Sequence, residues 1–129
     1  MNKLLLIGGA FFGLTAVILG AFAAHGLEQA LKQDALSSFE TGVRYQMYTA
    51  LFMLVLGGLP IASDKARNIC FYLTVAGILL FSGSIYFLAT NALTSYDFTR
   101  IAFVTPIGGL LLIIAWSVVL VSVIRIKSK

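Results

Sequence analysis

LLLIGGAFFGLTAVILGAFAAHGL, residues 4–27, is the stretch that decides how this chain folds. No charged side chain interrupts it between Lys3 and Glu28. A membrane helix needs roughly 20 mostly apolar residues to cross a hydrocarbon core of about 30 Å, and this run supplies them. Three more charge-free runs follow, Tyr45–Ser63, Asn68–Tyr96 and Ile101–Ile124, and each meets or nearly meets that length. The chain as a whole is 60% hydrophobic and 11% charged, with a mean hydropathy of +0.99. Soluble domains are about 25% charged, so these few charges cannot coat a water-facing surface. The sequence therefore reads as an all-α integral membrane protein, a compact antiparallel four-helix transmembrane bundle forming one domain over residues 1–129. Its spans are expected at about 4–24, 41–60, 69–91 and 105–124. The longest polar connection, His25–Arg44, is too short to build a core of its own.

Lys3, the apolar run and Ala21-Phe22-Ala23 also fit a secretory signal. The run exceeds the usual apolar core of such a signal and contains glycines spaced for helix packing, so it is read as a retained span. Cys70 is the single cysteine, which excludes an internal disulfide and a cysteine-based metal cluster. The net charge of +4 does not point to nucleic acid, because the basic residues are scattered or sit at span ends.

Four spans place both termini on one side, with Lys3, Lys65, Arg67, Arg125, Lys127 and Lys129. The other side holds Lys32, Arg44 and Arg100 together with Glu28, Asp34, Glu40 and Asp97. The positive-inside rule then makes both termini cytoplasmic in a multi-pass protein of the cell membrane. Ser37 and Glu40 have the spacing of a capping box, predicting that the second span starts near Ser38 and ends before Pro60. Arg44 would snorkel one turn inside it and pair with Glu40. Residues 27–36 read as an amphipathic segment on the outer surface, with Leu27, Ala30, Leu31 and Ala35 on one face. Residues 64–67 read as a tight cytoplasmic loop and 94–100 as a second outer loop. Thr105 is placed as the N-cap of the fourth span and Pro106 at its first position.

Lipid supplies no hydrophobic drive between helices, so close backbone approach at small residues must hold them together. Small residues recur here every seven positions: Gly9, Ala16 and Ala23; Gly13 and Gly20; Gly42 and Thr49; Ala50 and Gly57; Ala76 and Gly83; Gly77 and Ser84; Gly108, Ala115 and Ser122. A seven-residue repeat implies left-handed crossings near +20°. Gly9, Gly13, Gly20, Gly83 and Gly108 are the expected packing glycines. Such packing leaves little room for a wide path inside one subunit, so a pore would form between subunits.

Polar residues concentrate toward the outer leaflet. Counting along the spans brings His25, Glu40, Arg44, Tyr45, Gln46, Thr49, Ser82, Ser84, Tyr86 and Thr105 into that zone, while the inner half is nearly pure hydrocarbon. The cluster is either a ligand or ion site or purely structural, as aromatic belts and back-bonded hydroxyls are. His25, the one histidine, is expected to hydrogen-bond to the outer turns of the second span around Tyr45, Gln46 and Thr49. One histidine and one cysteine do not make a metal site. Ser82 or Ser84 with His25 would resemble an intramembrane serine hydrolase, but the depth estimate separates them. No membrane-embedded acid precedes Glu28, unlike in small multidrug transporters, and no inverted repeat is evident.

Four blocks, GAFAAHGL (20–27), GVRYQMYTAL (42–51), LFSGSIY (80–86) and TPIGG (105–109), resemble those of domain-of-unknown-function family 423. That family includes small bacterial membrane proteins and the transmembrane-protein-256 type of eukaryotes. The resemblance covers nearly the whole chain and implies a small polytopic membrane protein with no established activity, substrate or cofactor. It also places Ala23 where glycine is common in the family, and Thr49 where many members carry a second histidine.

The resulting expectation is a non-enzymatic structural or accessory component of the membrane, without metal or cofactor and without nucleic acid. Its expected partners are the lipid bilayer and either further copies or another membrane protein. A small oligomeric transporter or channel using the polar cluster is the alternative. A reporter fused after Lys129 is expected to be active only as a cytoplasmic reporter, and one inserted within 28–36 only as an external one. Exchanged activities would overturn the orientation.

Overall fold

The computed structural model describes residues 1–95 and 97–127; the expectations for Tyr96 and Lys129 lie outside them. All regular structure among the described residues is helical. Four long helices, α1 (Lys3–Phe22), α3 (Gln33–Gly58), α4 (Asp64–Ala89) and α5 (Val104–Ile124), carry the fold. A π-helical turn, Ala23–Leu27, extends α1, and the single turn α2 (Glu28–Ala30) follows it. Two 3-10 turns, Asn91–Leu93 and Phe98–Ile101, bridge α4 to α5.

The helices run alternately up and down. Asn2 N–H donates to Gly57 O at 2.8 Å, and Asn2 Nδ2 donates to Asn68 Oδ1 at 3.1 Å, so the start of α1, the end of α3 and the start of α4 share one end of the molecule. Ser84 is hydrogen-bonded to Thr105, and Cys70 lies against Ala115, so α5 returns to that same end. This is called the near end below, and the end with α2 the far end. α1 packs along α3, α3 against α4, and α4 against α5. α5 meets α3 through a ring contact between Phe52 and Trp116, whose centroids are 4.5 Å apart. The bundle is thus two helix pairs, α1 with α3 and α4 with α5, joined along α3 and α4.

The usual distribution of side chains is inverted. Phe11, Leu14, Val17 and Ile18 on α1, and Leu110, Ile113, Trp116 and Leu120 on α5, are more than half exposed. Gln46, Thr49, Thr74, Ser82 and Ser84 are buried. A water-soluble monomer rarely exposes so much contiguous apolar surface, whereas a protein solvated by lipid must. Three helical stretches are long and apolar enough to cross a membrane: Lys3–Ala30, Asp64–Ala89 and Phe98–Ile124. The 26 residues of α3 give it the length, about 39 Å at 1.5 Å per residue, but its first three turns are too polar to qualify by composition.

Several boundaries differ from the sequence reading. α3 starts at Gln33 with Lys32 as N-cap, five residues before Ser38, and Ser37 lies within the helix, where its carbonyl accepts from Thr41 Oγ1. The cause is tertiary: Leu36 and Phe39 bury against Ala23, Leu27 and Ala89, which a surface segment would leave exposed. Accordingly, 33–36 belong to α3 and not to a separate amphipathic segment, and Ala30 is exposed. Residues 64–67 are the first turn of α4, capped by Ser63 Oγ on Ala66 N–H at 3.1 Å, so the reversal lies at 59–63. α5 begins at Val104 with Phe103 as N-cap, because the Thr105 hydroxyl is taken by Ser84. Arg44 Nη2 donates to Thr41 Oγ1 at 3.0 Å in place of the expected pair with Glu40; the ion pair among the described residues is Arg67–Asp64 at 2.8 Å.

The small residues separate into contacts and bystanders. A Cβ at Gly108 would lie 2.2 Å from Phe81 N, and one at Gly9 would lie 2.8 Å from Ala50 O, so both positions bring two backbones together. Gly20 and Gly13 make ordinary contacts, 3.4 Å from Val43 and 3.7 Å from Ala50. Around Gly83 the nearest atom is 4.0 Å away, so it is not a packing glycine; Gly77, in the neighbouring seven-residue row of α4, faces Leu112 and the Gly108 carbonyl instead. Gly108→Ala is expected to lower stability by about 2 kcal/mol or more, as overpacking against a backbone does. Gly83→Ala should stay within about 0.5 kcal/mol of the parent. Unfolding of both variants in detergent, followed by circular dichroism, checks the contrast.

Candidate functional site

The polar residues picked out by the sequence do not form one cluster. They divide into an interior seam, a groove wall and a surface group.

The seam centres on Gln46, which is 3% exposed. Its Nε2 donates to Phe12 O at 2.9 Å and to Thr15 Oγ1 at 2.7 Å, and its Oε1 accepts from Tyr86 Oη at 2.6 Å. One side chain on α3 therefore bonds to α1 and to α4. Because α3 starts at Gln33, Gln46 sits near the middle of the helix, opposite the middle of α1, and so deeper than counting from residue 41 places it. Beside it, Ser82 Oγ donates to Gly42 O at 2.7 Å. That bond needs α4 close to the α3 backbone, and Gly42 permits it: a Cβ there would lie 2.8 Å from the Tyr86 ring. The Tyr86 ring also packs against Phe39, with centroids 4.8 Å apart. Farther along α4, Ser84 Oγ bonds to Thr105 Oγ1 and donates to Phe81 O at 2.9 Å, joining α4 to α5. Gln46, Tyr86, Ser82, Ser84 and Thr105 are thus each paired with protein atoms, as buried polar groups in an apolar solvent must be.

Thr15 was missed by the sequence reading. It is the one hydroxyl residue within α1, and it back-bonds to Phe11 O at 3.0 Å while accepting from Gln46. A lone threonine in an otherwise apolar span is the signal that marks it.

The groove lies between α3 and α5, with a volume of about 1220 Å³. Tyr45, Thr49, Phe52 and Leu56 line one wall, Leu112, Ile113, Trp116 and Leu120 the other, and Phe81 of α4 contributes to the lining. The Thr49 hydroxyl donates to Tyr45 O at 2.8 Å and so adds little polarity. At the near end lies a second cavity of about 600 Å³ sharing Ile61 and Ser117 with the groove and lined also by Ser63, Ser122 and Arg125. Neither cavity is lined by His25, Gln46 or Ser84.

His25, Glu40 and Arg44 form the surface group, all exposed. His25 stands on the π-helical turn and is exposed. Of the partners expected for it, Gln46 is engaged with Phe12, Thr15 and Tyr86, Thr49 with the Tyr45 carbonyl, and Tyr45 lies in the groove wall. No serine hydroxyl of α4 bonds to it; Ser82 and Ser84 are committed to Gly42 and Thr105. Among the described residues no group of three His, Cys, Asp or Glu side chains could hold a metal.

An interior of paired polar groups within an apolar exterior is the arrangement of a membrane protein, and comparison with known proteins agrees. Residues 19–109 match the model of a protein family of unknown function, DUF423. The chain belongs to that family. It is 38% identical over 123 residues to a UPF0382 membrane protein of Staphylococcus epidermidis, covering 95% of this chain and 97% of the relative. It is 38% identical over 128 residues to the UPF0382 membrane protein YwdK of Bacillus subtilis, covering 95% and 98%. It is 36% identical over 132 residues to the UPF0382 inner membrane protein YgdD of Escherichia coli K12, covering 99% and 95%. No solved structure matches. The family carries no assigned activity, and the chain is a small helical membrane protein of that kind.

Replacing Gln46 with leucine leaves Tyr86 Oη without its acceptor and is expected to cost about 1–2 kcal/mol, within the range for an orphaned buried group. Tyr86→Phe added to Gln46→Leu should cost less than it does alone. The coupling from this double-mutant cycle is expected at about 1 kcal/mol, typical of interhelical hydrogen bonds in membranes. Unfolding in mixed micelles measures it.

Proposed function

We propose that this protein is a non-enzymatic accessory component of the cell membrane that presents the α3/α5 groove to an apolar partner within the bilayer. The observation that carries this reading is the groove itself: about 1220 Å³, walled by large apolar side chains and open along the bundle's side. Sites for small molecules are typically about 300–1,000 Å³ and enclose most of their ligand. This one is larger and unroofed, which suits a long apolar occupant entering from the membrane. The buried hydroxyls and the amide that catalysis would require are spent on helix–helix bonds.

In the same reading α3 crosses the membrane with its three neighbours. It is paired with α1 from Gly20 against Val43 down to Leu5 against Gly57, and over that length it buries Gln46 and Thr49 inward. A helix flanked over its whole length by two spans traverses the thickness they do. The near end, which carries Lys3, Lys65, Arg67, Arg125 and Lys127, then faces the cytoplasm by the positive-inside rule.

A photoreactive amino acid placed at Ile113, in the groove wall, is expected to give a discrete adduct in native membranes. The same group at Val17, on the exposed face of α1, should give only diffuse labelling. Identical diffuse labelling at both positions would overturn the reading.

A further inference from the structure

We infer that the groove and the cavity at its near end together form a binding site for an anionic phospholipid, its acyl chains along α3 and α5 and its headgroup against Arg125. This rests on the groove reading above and adds the chemistry of the occupant.

The inference begins from the continuity of the two cavities, which share Ile61 and Ser117. Along this path the lining changes character. Between its ends it is Thr49, Phe52, Leu56, Leu112, Ile113, Trp116 and Leu120, whose one hydroxyl is back-bonded to Tyr45 O, with Tyr45 and Tyr48 at the far end. At the near end it becomes Arg125 with Ser63, while the Ser117 and Ser122 hydroxyls there are back-bonded to Ile113 O and Val118 O. A path that is apolar for much of a helix length and then ends in a guanidinium and the Ser63 hydroxyl has the polarity profile of one lipid molecule. A second copy's helix would require a wall apolar to its end, or an acid placed to meet Arg125.

Charge selects the headgroup. Arg125 closes α5 at the membrane boundary, and its guanidinium forms no ion pair among the described residues, where the one pair is Arg67–Asp64. The near end as a whole is basic, with Lys3, Lys65, Arg67, Arg125 and Lys127 against Asp64 alone. At the far end acids outnumber bases, and the one arginine beside the groove, Arg44, is spent on Thr41, which lines it. The headgroup therefore lies at the near end. Guanidinium suits phosphate geometrically, presenting several N–H donors in a plane. The hydroxyl of Ser63, whose oxygen accepts from Ala66 N–H, keeps its own proton free to donate.

Trp116 is the chain's one tryptophan and lies in the groove wall, so the protein carries its own reporter. The full chain in detergent is titrated with phosphatidylglycerol or phosphatidylcholine carrying brominated acyl chains, which quench indole on contact. Quenching by phosphatidylglycerol is expected to saturate, with a half-point about fivefold lower than for phosphatidylcholine, the discrimination one arginine gives near an anionic headgroup. Arg125→Gln, at an exposed position, should remove that discrimination and leave the maximal quench unchanged. A control chain with Trp116→Phe and Val17→Trp should quench without saturating and without headgroup preference.

Saturable quenching with equal half-points for the two lipids, insensitive to Arg125→Gln, would overturn the headgroup inference and leave the groove reading standing. Quenching that does not saturate, like that of the control, would overturn both. Protection of Trp116 that rises with protein concentration as the chain dimerises would assign the groove to a second copy and overturn the lipid inference.

Discussion

One amide side chain fixes the relation of three helices. Gln46 reaches from α3 to the Phe12 carbonyl and the Thr15 hydroxyl on α1, and it accepts from Tyr86 on α4. In a lipid-solvated protein this bond set does what burial of leucine does in a soluble one. Apolar contact distinguishes little between one helix face and another when lipid tails are equally apolar, but an unpaired amide at mid-depth is costly on every face except one. The rotation of α3 about its axis, and with it the inward facing of Gly42, Thr49 and Ala50, follows from satisfying Gln46. The close passage of α4 over Gly42, sealed by Ser82, is then the geometry in which Tyr86 can reach it.

α5 is held by different means, and this is what opens the groove. It shares no part in the Gln46 network. Its attachment is to α4, through the backbone approach of Gly108 to Phe81, the insertion of Leu112 over Gly77, the contact of Cys70 with the Ala115 carbonyl, and the Ser84–Thr105 bond. All of these lie on one face of α5. Toward α3 it offers bulky side chains, and Phe52 against Trp116 holds the two helices apart as much as together. Small residues draw α4 and α5 close, while aromatic and branched residues keep α3 and α5 at a distance, so the cleft between them is a direct product of where the glycines are placed.

The extent to which the sequence disclosed this varies with the kind of information. The long helices were legible because run length and lack of charge are local properties, and lipid permits few alternatives. Their ends were not, because Leu36 and Phe39 extend α3 by burying against partners distant in sequence, which no local capping pattern encodes. The heptads of small residues were visible, but α4 carries two such rows one residue apart. Only the partner helix selects Gly77 and Ser84 over Ala76 and Gly83. Gln46, Ser82, Ser84, Tyr86 and Thr105 were recognisable as out of place in an apolar chain. Their division into pairs depends on depth, and depth depends on the start of α3 at Gln33, which only its tertiary contacts set. His25 drew attention as a residue type, yet a histidine at the end of a span has water available and needs no partner inside.

The groove is held open by large side chains and is not a packing defect. A void between transmembrane helices is never empty, because lipid chains enter any cleft that opens to the bilayer, so its existence alone carries no specificity. Specificity requires a polar feature at a defined position along an apolar path. Trp116 and Phe52 set the depth of the path, and Arg125 and Ser63 stand at its near end. Tightening α5 onto α3 would demand small residues where Phe52 and Trp116 stand, and would bury Ser117, now exposed with its hydroxyl back-bonded to Ile113 O at 2.9 Å. The helix pair is thus built to remain apart at this position, with Arg125 at the near end of the space between.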